Sequence, residues 1–445
     1  MIKEVKKQQL KQAASKIADQ GFSDFLHDHN LVHLLPFSRF RRHKETIGSL
    51  GDAQSLASLL VELGPGFVEA GKIVASRSDI IPIQYQTALL NNESHASELS
   101  QKKVKSILRV ELGRNIEKEI THIDAEQYRA NLVSQTHKAI LEDGRRVLIT
   151  INNPKAIMSL SQSVSTIEWL YNWYAPQVSD HEIGLWESIF NEFEQRALML
   201  TDLTQVAGRA EILQSHYEDK AKISIPEVLW EYTSQNVLTQ IWQNHPNMKE
   251  TTQRGVKPGI AKKYVSRYVL EAMVHQYGVS GVFILRPNIR DIQIAEKNTV
   301  IMNHLLGTGI LEPDERKQFI AMLYALLNQE PELAAKVLLH NHYNNIQREH
   351  RYFGAGISVP KSKKAPVSDL IWELLEYGWH GNLDIPLGFS QAAESILYLE
   401  HALAQFDDVD INDNFSSAIA KYIPEIFAVD KSADIYDIVR QVTTV

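Results

Sequence analysis

The sequence predicts an α+β fold that is mostly helical, and two observations support this prediction. Apolar residues recur at spacings of three and four along most of the chain, which is the pattern of amphipathic helices. Short β-prone runs flank an Asp-Gly pair about a third of the way along the chain. With 44% hydrophobic and 22% charged residues over 445 positions, the composition is typical of a folded chain with a substantial core.

The first part of the chain, residues 1–126, is predicted to be a helical extension. Its apolar spacing is interrupted at Leu63–Gly66, where a Gly-Pro-Gly sequence breaks the helical pattern. The Lys-rich segment Met1–Gly21 predicts an amphipathic helix whose contact with a membrane is at most peripheral. No run reaches the roughly 18 apolar residues that span a bilayer.

Residues 127–243 are predicted to form a small α/β lobe with inserted helices. Asp143 and Gly144 lie between two β-prone runs, which predicts a hairpin. A long helical pattern follows Pro154. Strand character occurs at Ala139–Leu141, Val147–Ile151, Val228–Tyr232 and Asn236–Trp242.

Residues 244–445 are predicted to form a larger, helical lobe. The three parts together have the layout of a protein-kinase-like two-lobed fold with an N-terminal helical extension. Aromatic side chains at helical or strand spacing are interpreted as core. The main ones are Trp186, Phe190, Phe193, Trp230 and Trp242.

Charge and cysteine content exclude several classes of function. The net charge of −8 argues against a nucleic-acid partner, because such proteins neutralise phosphates with an excess of Lys and Arg. The chain has no cysteine, so thiolate metal sites, disulfides and cysteine nucleophiles are excluded. We expect a cytoplasmic protein, at most peripheral to a membrane, and the sequence leaves its oligomeric state open.

The segment Leu63–Pro82 resembles the N-terminal signature of the UbiB (AarF-like) atypical kinase family, LGPxFxKxGQxxSxRxDxxP. Two later segments follow in the family's order. Ser134–Gly144 resembles the family's QVHxAxLxDG sequence, and Val147–Pro154 resembles its VAVKVQRP strand. The resemblance spans roughly residues 45–425. It implies a protein-kinase-like fold, binding of adenine nucleotide with a divalent metal, and a place in isoprenoid or lipid pathways.

The phosphate-binding groups that the resemblance implies are replaced in this chain. The KxGQ lysine and glutamine fall on Glu69 and Lys72, and the lysine of the VAVKVQRP strand falls on Thr150. Threonine cannot supply the charge that a lysine brings to phosphate oxygens.

The acidic and metal-binding positions are also changed. The three acids of the family's ELDFxxEA helix fall on Ala197, Met199 and Leu203, and the neighbouring Asp202 is interpreted as a displaced remnant of them. In the HxDxHxGN segment, Arg286 stands where the catalytic Asp is implied and Asp291 where the metal-binding Asn is implied. The Asp of the DFG segment falls on His304.

We therefore interpret the chain as a catalytically degenerate, UbiB-like pseudokinase with no catalytic residue. It would act as a scaffold or regulatory partner of another protein, such as an active relative or an enzyme of lipid or isoprenoid (ubiquinone-type) metabolism. One alternative is a divergent ATPase or kinase that takes ATP or ADP with Mg²⁺ at a rebuilt site of Arg286, Asp291, Asn303 and His304. The other is a carrier of a hydrophobic ligand.

Two simpler interpretations of the charged residues also follow from spacing. Asp291 can pair with the neighbouring arginines at the surface of the lobe. Glu69 and Lys72, three residues apart on a predicted helix, can form a local ion pair.

Overall fold

The computed structural model of the protein describes residues 50–77, 81–92, 95–113, 115–174, 176, 180–220, 222–253, 260–303, 305–339, 365–380, 383, 385–406, 410–429 and 438. Contacts divide the chain into two compact units, Met1–Ala139 with Ile149–Thr201, and Ile140–Leu148 with Asp202–Val445. The α+β, mostly helical fold class is confirmed. The division at residues 126 and 243 stays a prediction, since each compact unit extends across one of these positions. The Lys-rich segment 1–21 lies outside the described residues.

The first unit begins with short helices. These are α1 (Leu50–Leu63), α2 (Pro65–Ala75), α3 (Ile83–Leu90), α4 (Gln101–Leu112) and α5 (Ile116–Glu119). Gly64 separates α1 from α2 with a φ of +124°, a conformation that favours glycine. Pro65 then starts α2, where its missing N–H costs no helical hydrogen bond.

A small sheet follows, made of β1 (Ile120–Ile123), β2 (Arg129–Ala130), β3 (Ser134–Leu141) and β4 (Arg146–Asn152). The predicted hairpin is confirmed. Its turn contains Gly144 with a φ of +86°, and Leu141 N donates to Arg145 O at 2.9 Å. The tip of the hairpin belongs to the second unit, where Trp242 N donates to Arg146 O at 2.9 Å.

Two long helices complete the first unit, α6 (Pro154–Tyr174) and α7 (Asp180–Thr201). They confirm the helical pattern predicted after Pro154. Helix α2 packs closely on α6, because a Cβ added at Gly66 would lie 2.4 Å from Ser163 Cβ. The apolar core here joins α2, the two residues before β3, α6 and α7 through Val68, Leu132, Val133, Leu160 and Ala197.

The second unit is mainly helical. Its helices are α8 (Leu203–Tyr217), α9 (Met248–Gln253), α10 (Ile260–His275), α11 (Pro313–Leu327), α12 (Pro331–Leu339), α13 (Val367–His380), α14 (Leu387–Phe406) and α15 (Ile411–Phe427). Its core contains edge-to-face ring contacts of Tyr277 with Phe283 and Phe319, and of Phe319 with Phe389, at centroid distances of 5.1 to 5.8 Å. None of the helices in the described ranges is both long and apolar enough to cross a bilayer.

The short strands of this unit are β5 (Ile223–Ser224), β6 (Val237–Ile241), β7 (Val282–Ile284), β8 (Ile292–Ile294), β9 (Val300–Met302) and β10 (Thr308–Ile310). Strand β7 pairs with β10, and β9 lies between β5 and β8. The prediction of a strand at Asn236–Trp242 is confirmed by β6. The prediction at Val228–Tyr232 is wrong in its second half, where Trp230–Tyr232 forms a 3-10 turn.

The aromatic core prediction is also corrected at one position. Phe193 is buried, but Trp230 is 43% exposed, and it lies in the 3-10 turn and not in the predicted strand. Trp186, Phe190 and Trp242 are half-buried.

Candidate functional site

Glu69 lies on α2 and is held by an ion pair that the sequence did not reveal. Arg196 of α7 places Nη1 3.3 Å from Glu69 Oε1 and Nη2 2.8 Å from Glu192 Oε1. All three side chains are buried. Two carboxylates therefore share one guanidinium inside the first unit. The expected pairing of Glu69 with Lys72 stays a prediction, and Arg196 was missed because it is 127 residues from Glu69 in the chain.

Two positions at which the family's ELDFxxEA helix has acids carry apolar residues of the core in this chain. Ala197 and Met199 lie on α7 and are 6% and 4% exposed. Ala197 belongs to the cluster with Val68 and Leu132. Carboxylates at these positions would be unpaired charges in an apolar environment, which proteins avoid.

Thr150, at the position of the strand lysine, is 4% exposed on β4. Its Oγ1 is 2.8 Å from Thr136 Oγ1 on β3, so the two hydroxyls form a cross-strand hydrogen bond. Two residues on, Asn152 Nδ2 donates to Leu200 O at 3.3 Å, near the end of α7. This part of the sheet thus uses neutral hydrogen bonds where the resemblance implies a phosphate-binding charge.

Asp202, interpreted above as a displaced remnant of the acidic motif, has a local structural role, and its origin as a remnant stays a prediction. Asp202 is the N-cap of α8, and its Oδ1 accepts hydrogen bonds from Thr204 N at 3.0 Å and Thr204 Oγ1 at 2.6 Å. Such a cap stabilises the first turn of a helix by about 1 kcal/mol. Leu203, at the third acidic position, is the first residue of α8 and is 2% exposed.

In the second unit, Arg286 stands where the resemblance implies the catalytic Asp. Its Nε donates to Glu394 Oε1 at 2.7 Å, and its guanidinium lies 5.5 Å from the centre of the Tyr398 ring. Glu394 is fully buried on α14. Arg286 thus has an ion partner on a helix more than 100 residues further on. The expected pairing of Asp291 with the neighbouring arginines stays a prediction.

Asp291 and Asn303, two members of the alternative rebuilt site, do come together. Asn303 N donates to Asp291 O at 2.9 Å, and Asn303 Nδ2 donates to Gln293 Oε1 at 2.8 Å. The contact is thus made by the backbone of Asp291, and the Asn303 amide is engaged by Gln293. His304, the fourth member, lies outside the described residues.

These side chains do not fit a magnesium nucleotide held in the way the resemblance implies. Mg²⁺ in phosphoryl-transfer sites is held by carboxylate or amide oxygens, and a cation contacts the phosphates. Thr150 is neutral and engaged, and Ala197 and Met199 carry no oxygen. Within the residues that the structure describes, no three His, Asp or Glu side chains are grouped so as to hold a metal ion.

A comparison with known protein families places the chain in a kinase-like class, in agreement with its α+β fold. The family described as ABC1 atypical kinase-like domain matches residues 91–338, which is more than half of the chain. The chain therefore belongs to the ABC1 atypical kinase-like family, and the resemblance to UbiB proteins is confirmed.

Relatives of the chain differ widely in length. It is 23% identical over 292 residues to the Arabidopsis thaliana protein ACTIVITY OF BC1 COMPLEX KINASE 8, chloroplastic, covering 64% of this chain and 38% of the relative. An uncharacterized protein of Synechocystis is 22% identical over 388 residues, which covers 80% of this chain and 92% of the relative. A probable protein kinase UbiB of Xylella fastidiosa is 27% identical over 180 residues, covering 40% of this chain and 33% of the relative.

Proposed function

We propose that this chain is a catalytically degenerate member of its family that acts by binding a protein partner. The observation that carries the proposal is Thr150. At the position of the phosphate-binding lysine, its hydroxyl is buried and hydrogen-bonded to Thr136. Phosphoryl transfer in kinase-like proteins depends on positioning and charge stabilisation, and a buried neutral pair supplies neither to a phosphate.

The contact between Glu69 and Arg196 supports the same proposal. The family motif has a lysine at position 69 and acids on the helix that corresponds to α7. In this chain the acid is on α2 and the basic residue is on α7. The two helices are thus joined by an ion pair of reversed polarity, which suits a scaffold and not a phosphate site.

We propose that the partner is an active member of the same family or an enzyme of lipid or isoprenoid metabolism. The family membership and the relatives named as UbiB and complex kinases support this choice. The chain would work in the cytoplasm, at most peripherally attached to a membrane, without ATP or ADP and Mg²⁺ as resident cofactors.

Release of inorganic phosphate from ATP tests the loss of catalysis. The full chain and its Asp291→Ala variant are assayed side by side with Mg²⁺ and with Mn²⁺. We expect the same background rate from both proteins. Turnover by the unmodified chain that Asp291→Ala removes would instead support the rebuilt ATPase site of Arg286, Asp291, Asn303 and His304.

A second measurement tests the binding role directly. The tagged chain is isolated gently from its own cells, and the mass of the particle is measured by light scattering after gel filtration. A complex of fixed stoichiometry with a second protein is expected. Isolation of the chain alone, with or without a bound lipid, would contradict the scaffold proposal, and a stoichiometric lipid would favour the hydrophobic-ligand carrier.

A further inference from the structure

The first unit contains an open cleft of about 450 Å³, here called the α2–α6 cleft. It lies between the end of α1, the start of α2, residues 95–97 and the first half of α6. Sites for small molecules in proteins commonly have volumes of this order. None of the motif positions at 69, 150, 197 or 199 lines it, so it is separate from the site described above.

One face of α6 supplies polar side chains to the cleft. Lys155, Ser159 and Gln162 are spaced four and three residues apart, which places them on the same side of a helix. Ser159 is half-buried, and Lys155 and Gln162 are exposed. In the part of the chain that the structure describes, none of the three side chains makes a hydrogen bond or an ion pair, so all three are available to a ligand.

Residues 95–97 are held in place by one side-chain and one backbone hydrogen bond. Asn153 Nδ2 donates to Ser97 O at 2.8 Å, and Ala96 N donates to Asn131 O at 2.8 Å. These bonds fix His95 and Ser97 opposite α6, where both line the cleft. A wall that is already ordered loses little conformational freedom when a ligand binds.

The start of α2 closes one end of the cleft. A Cβ added at Gly64 would lie 3.0 Å from Ser163 Oγ and 3.2 Å from Ser159 Oγ. Glycine therefore brings the backbone close to these hydroxyls. Helix α2 also begins here without a side-chain cap, so its positive end adds to the charge of Lys155.

The mixture of charges and apolar surface defines the ligand. Lys155 favours an anionic group, and Glu62 at the rim favours a ligand that also carries hydroxyl donors. Leu63, Phe67 and Leu132 provide apolar surface for a short carbon skeleton. We propose that the α2–α6 cleft binds a phosphorylated polyol, with the phosphate against Lys155 and Ser159 and the hydroxyls against Gln162 and Glu62.

Glycerol phosphate is the probe, because it occurs both as a free metabolite and as a lipid headgroup. Glycerol 3-phosphate is titrated into the full chain by calorimetry, and binding to vesicles of phosphatidylglycerol in phosphatidylcholine is measured by flotation. Three proteins are compared: the unmodified chain, Lys155→Ala, and Lys103→Ala as a control for an exposed lysine of the same unit.

We expect Lys155→Ala to weaken binding by at least about tenfold, the usual cost of losing a charge-assisted hydrogen bond, while Lys103→Ala changes it little. This pattern with glycerol 3-phosphate identifies a free metabolite as the ligand, and the same pattern with vesicles alone identifies a headgroup. No binding in either arm, or equal binding by Lys155→Ala and the unmodified chain, would overturn the proposal. Unchanged thermal unfolding of Lys155→Ala serves as the check that this variant is folded.

Discussion

The buried group of Glu69, Arg196 and Glu192 is the clearest example of how single residues shape this protein. Each of the three side chains is at most 5% exposed, and the guanidinium bridges two helices. Taking such charges out of water costs several kcal/mol for each ion, which only close pairing offsets. The group therefore specifies how α2 meets α7 more than it adds stability.

Replacing Arg196 by Met is expected to destabilise the protein by about 3–5 kcal/mol, since it removes the cation that bridges two buried carboxylates. Urea unfolding followed by circular dichroism measures the change. Arg109→Met is the matched control, because Arg109 and Glu117 form an exposed ion pair worth less than about 1 kcal/mol. Equal effects of the two substitutions would show that the buried group does not hold α2 to α7.

The Thr136–Thr150 hydrogen bond is tested by a pair of substitutions. Thr150→Val leaves the Thr136 hydroxyl buried without its partner, and we expect a loss of about 1–3 kcal/mol of unfolding free energy. Thr136→Val combined with Thr150→Val removes both hydroxyls and should recover most of that loss. Additive losses in the double variant would contradict a direct hydrogen bond between these residues.

At the scale of elements, α13 begins at the half-buried carboxyl group of Glu400 on α14. Glu400 Oε1 accepts from Val367 N at 2.6 Å and from Ser368 N at 3.4 Å, and Oε2 contacts Ser368 Oγ. Burial raises the pKa of Glu400 to about 7, although the hydrogen bonds from Ser368 and Val367 act in the opposite direction. The start of α13 is thus coupled to the protonation of Glu400 on α14.

This coupling predicts a pH dependence of stability. The folded protein holds the Glu400 proton more tightly than the unfolded chain, whose glutamate pKa is near 4.5. The protonated Glu400 therefore contributes its full stabilisation below a pH of about 4.5. This contribution to the free energy of unfolding is lost as the pH rises to about 7, by at most about 1.4 kcal/mol per pH unit. Glu400→Gln should flatten the pH profile of urea unfolding between pH 5 and 7. The same slope in Glu400→Gln as in the unmodified chain would contradict the prediction, and Glu126→Gln, at an exposed site, is the control.

Elements set by local sequence were predictable, and those set by distant partners were not. The β3–β4 hairpin and helices α6 and α7 follow from an Asp-Gly turn and from apolar spacing. Strands β7 to β10 have three residues each, which is too short for a periodic signal. The break between α7 and α8 depends on the N-cap residue Asp202. Asn152 also contributes, because its Nδ2 donates to Leu200 O near the end of α7.

At the scale of the whole molecule, the family and fold class could be predicted because the motif frame is preserved in order along the chain. The substituted positions could be named from the sequence, but their partners could not. Arg196 is 127 residues from Glu69, and Glu394 is 108 residues from Arg286. The α2–α6 cleft could not be predicted either, because its lining comes from four separate segments that only folding brings together, and only one of them, Leu63–Phe67, belongs to a motif.

We propose that this chain keeps the family fold without the family's nucleotide chemistry. The most direct test is a thermal-unfolding titration with ATP and with ADP at millimolar concentration, with and without Mg²⁺ or Mn²⁺, because a ligand that binds only the folded state must raise Tm. Lys155→Ala is included so that phosphate binding in the α2–α6 cleft is not counted as nucleotide binding. We predict no change in Tm for Lys155→Ala at any nucleotide concentration. A saturable, metal-dependent rise in the Tm of that variant would contradict the account.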